Sequence, residues 1–253
     1  MNTSNLRLFN GAMAVLHFAQ AFLVLLLASD FAVPLTTTFL VFDEAAERLI
    51  PQMEGAGEIR LAPLIAAFLL VSSVAHLTTI LPGVHQWYVR NLGRGINYLR
   101  WYEYAISASI MIVLISLLVG VYDISTLVLL FAVNAAMSFF GLLMELHNQT
   151  TERTNWTSFV IGCLIGAAPW IVISLYLFAP ATRSIGDVPT FVYGIYISLF
   201  IWFNLFAVNM FLQYRKIGPW RDYLFGEKAY ILLSLTAKSA LAWQVFAGTL
   251  RDV

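Results

Sequence analysis

Lys238 stands in the stretch Ser234-Leu235-Thr236-Ala237-Lys238-Ser239-Ala240-Leu241-Ala242-Trp243, where every other residue is small, neutral or apolar. A lysine amine held away from bulk water is the side chain suited to imine formation with an aldehyde. Positive charge on that nitrogen requires a carboxylate nearby, and Glu103 is the carboxylate expected at the same level. The two residues would equally make a structural ion pair, which stabilises little once its desolvation is counted. Residue chemistry alone leaves both readings open.

His17 and His76 join this layer. Counted at about 1.5 Å per residue from the cytoplasmic end of each apolar run, His17, His76, Glu103 and Lys238 all come out roughly 10 to 15 Å deep. They are the four ionisable side chains expected well inside the apolar runs, and each costs enough at membrane depth to ask for a partner or a role. Helical spacing of four adds hydroxyls on the same faces: Ser234 with Lys238, Ser107 with Glu103, Ser72 with His76, and Ser138 with Asn134. Such ladders suit ordered water. Met137, Trp170, Phe203, Phe206 and Trp243 are positioned to wall a long apolar slot, the usual form of a small-molecule site.

The elements that must carry these residues are apolar runs separated by nearly all of the charge. Of the 253 residues, 60% are hydrophobic and 11% charged, against about 25% charged in a soluble domain, so a water-soluble globule is excluded. Seven runs have the roughly 20 residues that cross a bilayer. They are placed at Leu8 to Ser29, Leu61 to Gly83, Asn97 to Gly120, Ile124 to Leu146, Thr157 to Pro180, Thr190 to Tyr214 and Ala229 to Leu250. Backbone groups in lipid must bond within the segment, so the expected fold is an all-α bundle of seven transmembrane helices, one domain over residues 1–253. The first run reads as a spanning helix, not a cleaved leader. Zero net charge recommends no nucleic-acid partner, and the lone Cys163 excludes a disulfide framework or multi-cysteine metal site.

Arg7, Arg90, Arg94, Arg100, Arg153, Arg215, Lys216, Arg221 and Lys228 fall on the N-terminal side of the runs, against Arg48, Arg60, Arg183 and Arg251 on the other. The positive-inside rule then puts the N-terminus in the cytoplasm and the C-terminus outside. Residues 30–60 form the one long connection and read as an extracellular cap. Its stretch Leu35-Thr36-Thr37-Thr38-Phe39-Leu40-Val41-Phe42 suits a strand, Gly55 and Gly57 supply turn flexibility, and a short hairpin is expected in the cap.

Seven helices with a lysine in the last resemble the retinal-binding rhodopsins, and the local strings resemble heliorhodopsins in particular. They are Arg100-Trp101-Tyr102-Glu103-Tyr104 and the Ser234 to Gln244 string, supported by Phe191-Val192-Tyr193-Gly194-Ile195 and Gly226-Glu227-Lys228-Ala229-Tyr230. The likeness runs through essentially the whole chain, and a cytoplasmic N-terminus accords with a family inserted opposite to ordinary microbial rhodopsins. It implies that Lys238 holds all-trans retinal covalently as a protonated Schiff base, with Glu103 as counterion. It places His17 and His76 in a hydrated cavity beside that base, with Ser72, Ser109, Asn134 and Ser234 tuning its hydrogen bonds. Met137, Phe203 and Trp243 would line the polyene. A departure is Ala108, at a position where the family often has serine, so hydrogen bonding near the counterion is expected to differ.

The expected function is a light-sensing photoreceptor in the cell membrane that moves a proton into an internal cavity and signals without pumping ions. A light-driven or light-gated proton transporter is the alternative, and a seven-helix scaffold or receptor without chromophore is a third. No enzymatic activity is expected. The resemblance implies a homodimer, and the basic cytoplasmic loops leave room for a signalling partner, although topology already accounts for their charge.

Overall fold

The computed structural model describes residues 3–178 and 188–251. The seven spans are α1 (Thr3–Leu27), α2 (Leu61–Ile80), α4 (Tyr98–Leu118), α5 (Ile124–His147), α6 (Thr157–Phe178), α7 (Thr190–Arg215) and α8 (Tyr223–Val245). A short helix, α3 (Val84–Gly93), follows α2, and a 3-10 turn at Gly218–Arg221 precedes α8. Seven of the helices are long and apolar enough to cross a membrane. Apolar residues cover all sides of these helices, with Phe18, Phe22 and Leu26 of α1 exposed on the outside of the bundle. Such surfaces are costly in water and suited to lipid.

The helices pack in chain order, α1 on α2, α2 on α4, α4 on α5, α5 on α6, and α7 on α8, with α4 also reaching α6 and α7. α4 is therefore the central span and the most buried. One apolar core joins Phe68 and Leu69 of α2 with Ile112 and Ile115 of α4 and Leu241 and Val245 of α8. A second, built on Trp101, Tyr104, Met144 and Tyr230, lies toward the N-terminal end of α4.

Side-chain caps set several helix starts. Asn97 accepts from the Arg100 amide at 3.1 Å, Asp123 from Thr126 at 2.8 Å and Asp222 from Leu224 at 3.0 Å, each satisfying a donor that the first turn leaves free. The Asp222 cap starts α8 at Tyr223, six residues ahead of the expected Ala229. Polar Glu227 and Lys228 had masked this first turn and a half. α3, short and amphipathic, was not expected at all. The expected helix end at Pro180, with Arg183 and Asp187, lies outside the described residues.

The connection after α1 is a hairpin, β1 (Ala32–Asp43) antiparallel to β2 (Arg48–Arg60), paired from Ala32↔Arg60 to Asp43↔Arg48. Its turn is not at the glycines. Asp43 Oδ1 accepts from the amides of Ala45 and Ala46, both at 2.9 Å, and closes a turn over residues 44–47. Gly55 and Gly57 lie within β2 beside a register shift opposite Leu35 and Thr36, where Gly57 adopts φ +119°. Gly57 thus serves a bulge at the unpaired Ala56, where the backbone turns through an angle that favours glycine. Thr36 N–H donates to Tyr122 O at 2.9 Å, tying the hairpin to the turn between α4 and α5.

Candidate functional site

Lys238 and Glu103 meet in the interior. The ammonium Nζ donates to Glu103 Oε1 at 2.6 Å and to Ser234 Oγ at 2.8 Å. Ser72 donates to the same Glu103 oxygen at 2.6 Å. Lys238 is 2% exposed and Glu103 8%, and Nζ also lies 5.4 Å from the centre of the Tyr104 ring. Three helices, α2, α4 and α8, converge on one carboxylate oxygen, which spreads the desolvation cost of the pair over several bonds.

His17 and His76 stack on each other, with ring centres 5.7 Å apart and planes 8° from parallel. His76 Nδ1 bonds Asn10 Oδ1 at 2.8 Å, while both ring nitrogens of buried His17 lack a partner among the described residues. The Asn134 amide donates to Ser109 Oγ at 3.1 Å across the α4–α5 interface. These two bond each other rather than the Lys238–Glu103 pair.

From Lys238 and Ser234 an apolar cavity of about 910 Å³ runs past Ala108, Met111, Met137, Trp170 and Phe203 toward lipid-facing Ile171 and Leu175 of α6. Its size falls within the about 300–1,000 Å³ usual for small-molecule sites. A Cβ on Gly166 would collide with the Met137 side chain, so this glycine lets Met137 form the wall. Trp243 does not border the cavity. Its indole N–H donates to Gln20 of α1 at 3.1 Å, because the side chain five residues past Lys238 leaves the helix on another face. Trp170 and Phe206, the other two aromatics expected as walls, do border it.

A second buried cluster adds three ionisable residues to the four expected inside. Arg100 pairs with both Glu145 and Glu227, and all three are buried. Glu145 also accepts from Asn97 N at 3.0 Å, Trp101 Nε1 at 2.6 Å and Tyr223 Oη at 3.1 Å. Arg100 lies over the Tyr230 ring, 3.9 Å from its centre. A signal was present: Glu227 precedes Lys238 by eleven residues, about three turns, and shares its face of α8. Hydropathy assigns such residues to helix ends and therefore to water, whereas here Tyr88 of α3, Asn97 and Tyr223 pack around them.

A buried lysine paired with a carboxylate at the head of an apolar cavity, within seven spanning helices, defines a rhodopsin-like protein. Residues 6–250 match the heliorhodopsin family, and the chain belongs to that family. Comparison with curated proteins finds no match. Among solved structures, the fold is similar to a light-driven proton pump from Leptosphaeria maculans, with 13% identity, a TM-score of 0.67, and coverage of 98% of this chain and 96% of that one. Family membership supports a retinal-binding membrane photoreceptor.

Proposed function

We propose that this protein is a sensory photoreceptor that holds all-trans retinal covalently on Lys238 Nζ and moves a proton internally without pumping ions. The observation that carries the reading is the 2.6 Å contact of Lys238 Nζ with Glu103 Oε1 at the head of the apolar cavity. Retinal, when bound, supplies visible absorption and a change of shape on illumination. Glu103 balances the charge on the lysine nitrogen and stands ready to accept its proton. Ser72 and Ser234 hold that pair in place, Met137 and Phe203 wall the cavity, and His17 with His76 offers sites beside it for a displaced proton. Ser109 and Asn134 support the α4–α5 side. Trp243 acts on the polyene at most through the packing of α8, given its bond to Gln20.

In this reading the chain is one membrane domain with the N-terminus cytoplasmic and the hairpin, within residues 30–60, as an extracellular cap. It pairs as a homodimer and signals to a cytoplasmic partner. The purified protein given retinal should gain a visible band that hydroxylamine bleaches and that Lys238→Ala never forms. Failure of the band to form, or its survival in Lys238→Ala, overturns the reading.

A proton transporter is the second reading, favoured by the number of buried charges. Against it, the buried charged groups among the described residues all lie toward the end of the bundle opposite the hairpin. Transport needs relay groups in both halves. Sustained, uncoupler-sensitive acidification or alkalinisation by illuminated vesicles would decide for transport.

A further inference from the structure

The Arg100 cluster contains two carboxylates and one guanidinium, and Arg100 is the only cation paired with either carboxylate among the described residues. With both carboxylates ionised the cluster bears one excess negative charge, in a setting where such a charge is poorly solvated. The other titratable groups around it are phenols: Tyr88 of α3, Tyr104 of α4, Tyr214 of α7, and Tyr223 and Tyr230 of α8. Beyond them stand the Lys238–Glu103 pair and His76.

The two carboxylates are not equivalent. Each oxygen of Glu145 accepts two hydrogen bonds, from Arg100 and Tyr223 on Oε1 and from Asn97 N and Trp101 on Oε2. Each oxygen of Glu227 accepts one, from Arg100 and from Asn97 Nδ2, the latter at 2.7 Å. Four donors fill the acceptor positions of Glu145, while Glu227 keeps open lone pairs.

The cluster also communicates with the lysine site. A cavity of about 40 Å³ is bordered by Asn10, His76, Tyr88, Asn97, Arg100 and Glu103, of which Asn97 and Arg100 bond Glu227 directly. That is room for a water molecule among several polar partners. Arg100 and Glu103 lie three residues apart on α4, about 4.5 Å along its axis. Tyr88 is buried, and burial pushes its phenol up, reinforced by the charge of Glu227. It therefore stays a hydroxyl able to pass a proton.

We propose that Glu227 is the terminal acceptor of the proton that leaves the Lys238 nitrogen, reached through this cavity. The proposal rests on the photoreceptor reading above. The N–H electron pair stays on nitrogen, and Glu103 takes the proton first. One proton then passes by way of cavity water and the Tyr88 hydroxyl, which bonds Asn10 and Asn97, to the Glu227 carboxylate bonded by Asn97, and Glu103 is ionised again. The cluster goes from one excess negative charge to neutral, and total charge is unchanged.

Two measurements test this. In protein without retinal, Glu227→Gln resembles the neutral acceptor and should melt well above Glu145→Gln, which strips charge from the four-donor carboxylate. A Glu227→Gln protein that melts as low as Glu145→Gln, or fails to fold, marks the cluster as a structural latch and overturns the proposal. In retinal-loaded protein, the light-minus-dark infrared spectrum should show a protonated-carboxyl band. Glu227→Gln should remove the parent band and leave in its place one of different frequency from Glu103, whose re-ionisation slows by about a hundredfold, and Glu227→Asp should restore a shifted parent band. Persistence of the parent band in Glu227→Gln, or its absence from a parent with normal visible absorption, sinks this proposal alone. A parent with no visible band sinks the photoreceptor reading as well.

Discussion

Glu103 is the residue on which the lysine nitrogen depends, since it is the only carboxylate bonded to Lys238 among the described residues. Replacing it by glutamine keeps the shape but leaves the buried ammonium without its charge partner. Loss of one member of a buried pair costs about 3–5 kcal/mol. Glu103→Gln in protein without retinal should therefore lower stability by that order, read as the free energy of denaturant unfolding. Lys238→Met combined with Glu103→Gln should recover most of it, because no isolated charge then remains. If the double variant is as unstable as the single, the two residues do not act as a pair. The residues legible from sequence were those whose chemistry contradicts their surroundings: a lysine, a glutamate and two histidines in apolar runs. Arg100, Glu145 and Glu227 were illegible because each lies near a helix end, where sequence cannot tell a covered carboxylate from a wet one.

At the scale of elements, apolar length and capping residues located the spans closely. Five of the seven expected starts fall within one residue of those observed, from Leu61 of α2 to Thr190 of α7. The hairpin shows the opposite case. Its β-branched strand is legible, but the place of its turn is not: Asp43 makes the turn, and Gly57 serves a bulge. Gly57→Ala places a side chain at φ +119° with open space around its Cβ. The cost is then backbone strain alone, of about 1–3 kcal/mol. It should loosen the hairpin locally, seen as faster amide exchange at β1 and β2 with α4 unaffected. Unchanged exchange would mean that the bulge adapts without strain.

For the whole molecule, the proposed orientation rests on charge counted across the loops. A C-terminal epitope tag should be reached by antibody on intact cells, and a tag at the N-terminus only after permeabilisation; the reverse pattern refutes the proposed insertion. The chain's own composition determined that it is a seven-span helical bundle, because crossing lipid leaves little freedom in backbone structure or length. Residue types and helical periodicity also determined that Lys238 and Glu103 belong to one layer. Only the tertiary structure decided which faces meet: that Trp243 turns to α1 while Trp170 and Phe206 take the cavity wall, and that Arg100 gathers Glu145 and Glu227 out of water. Depth along a helix is additive in sequence, whereas rotation about its axis is set by side chains packed from distant parts of the chain.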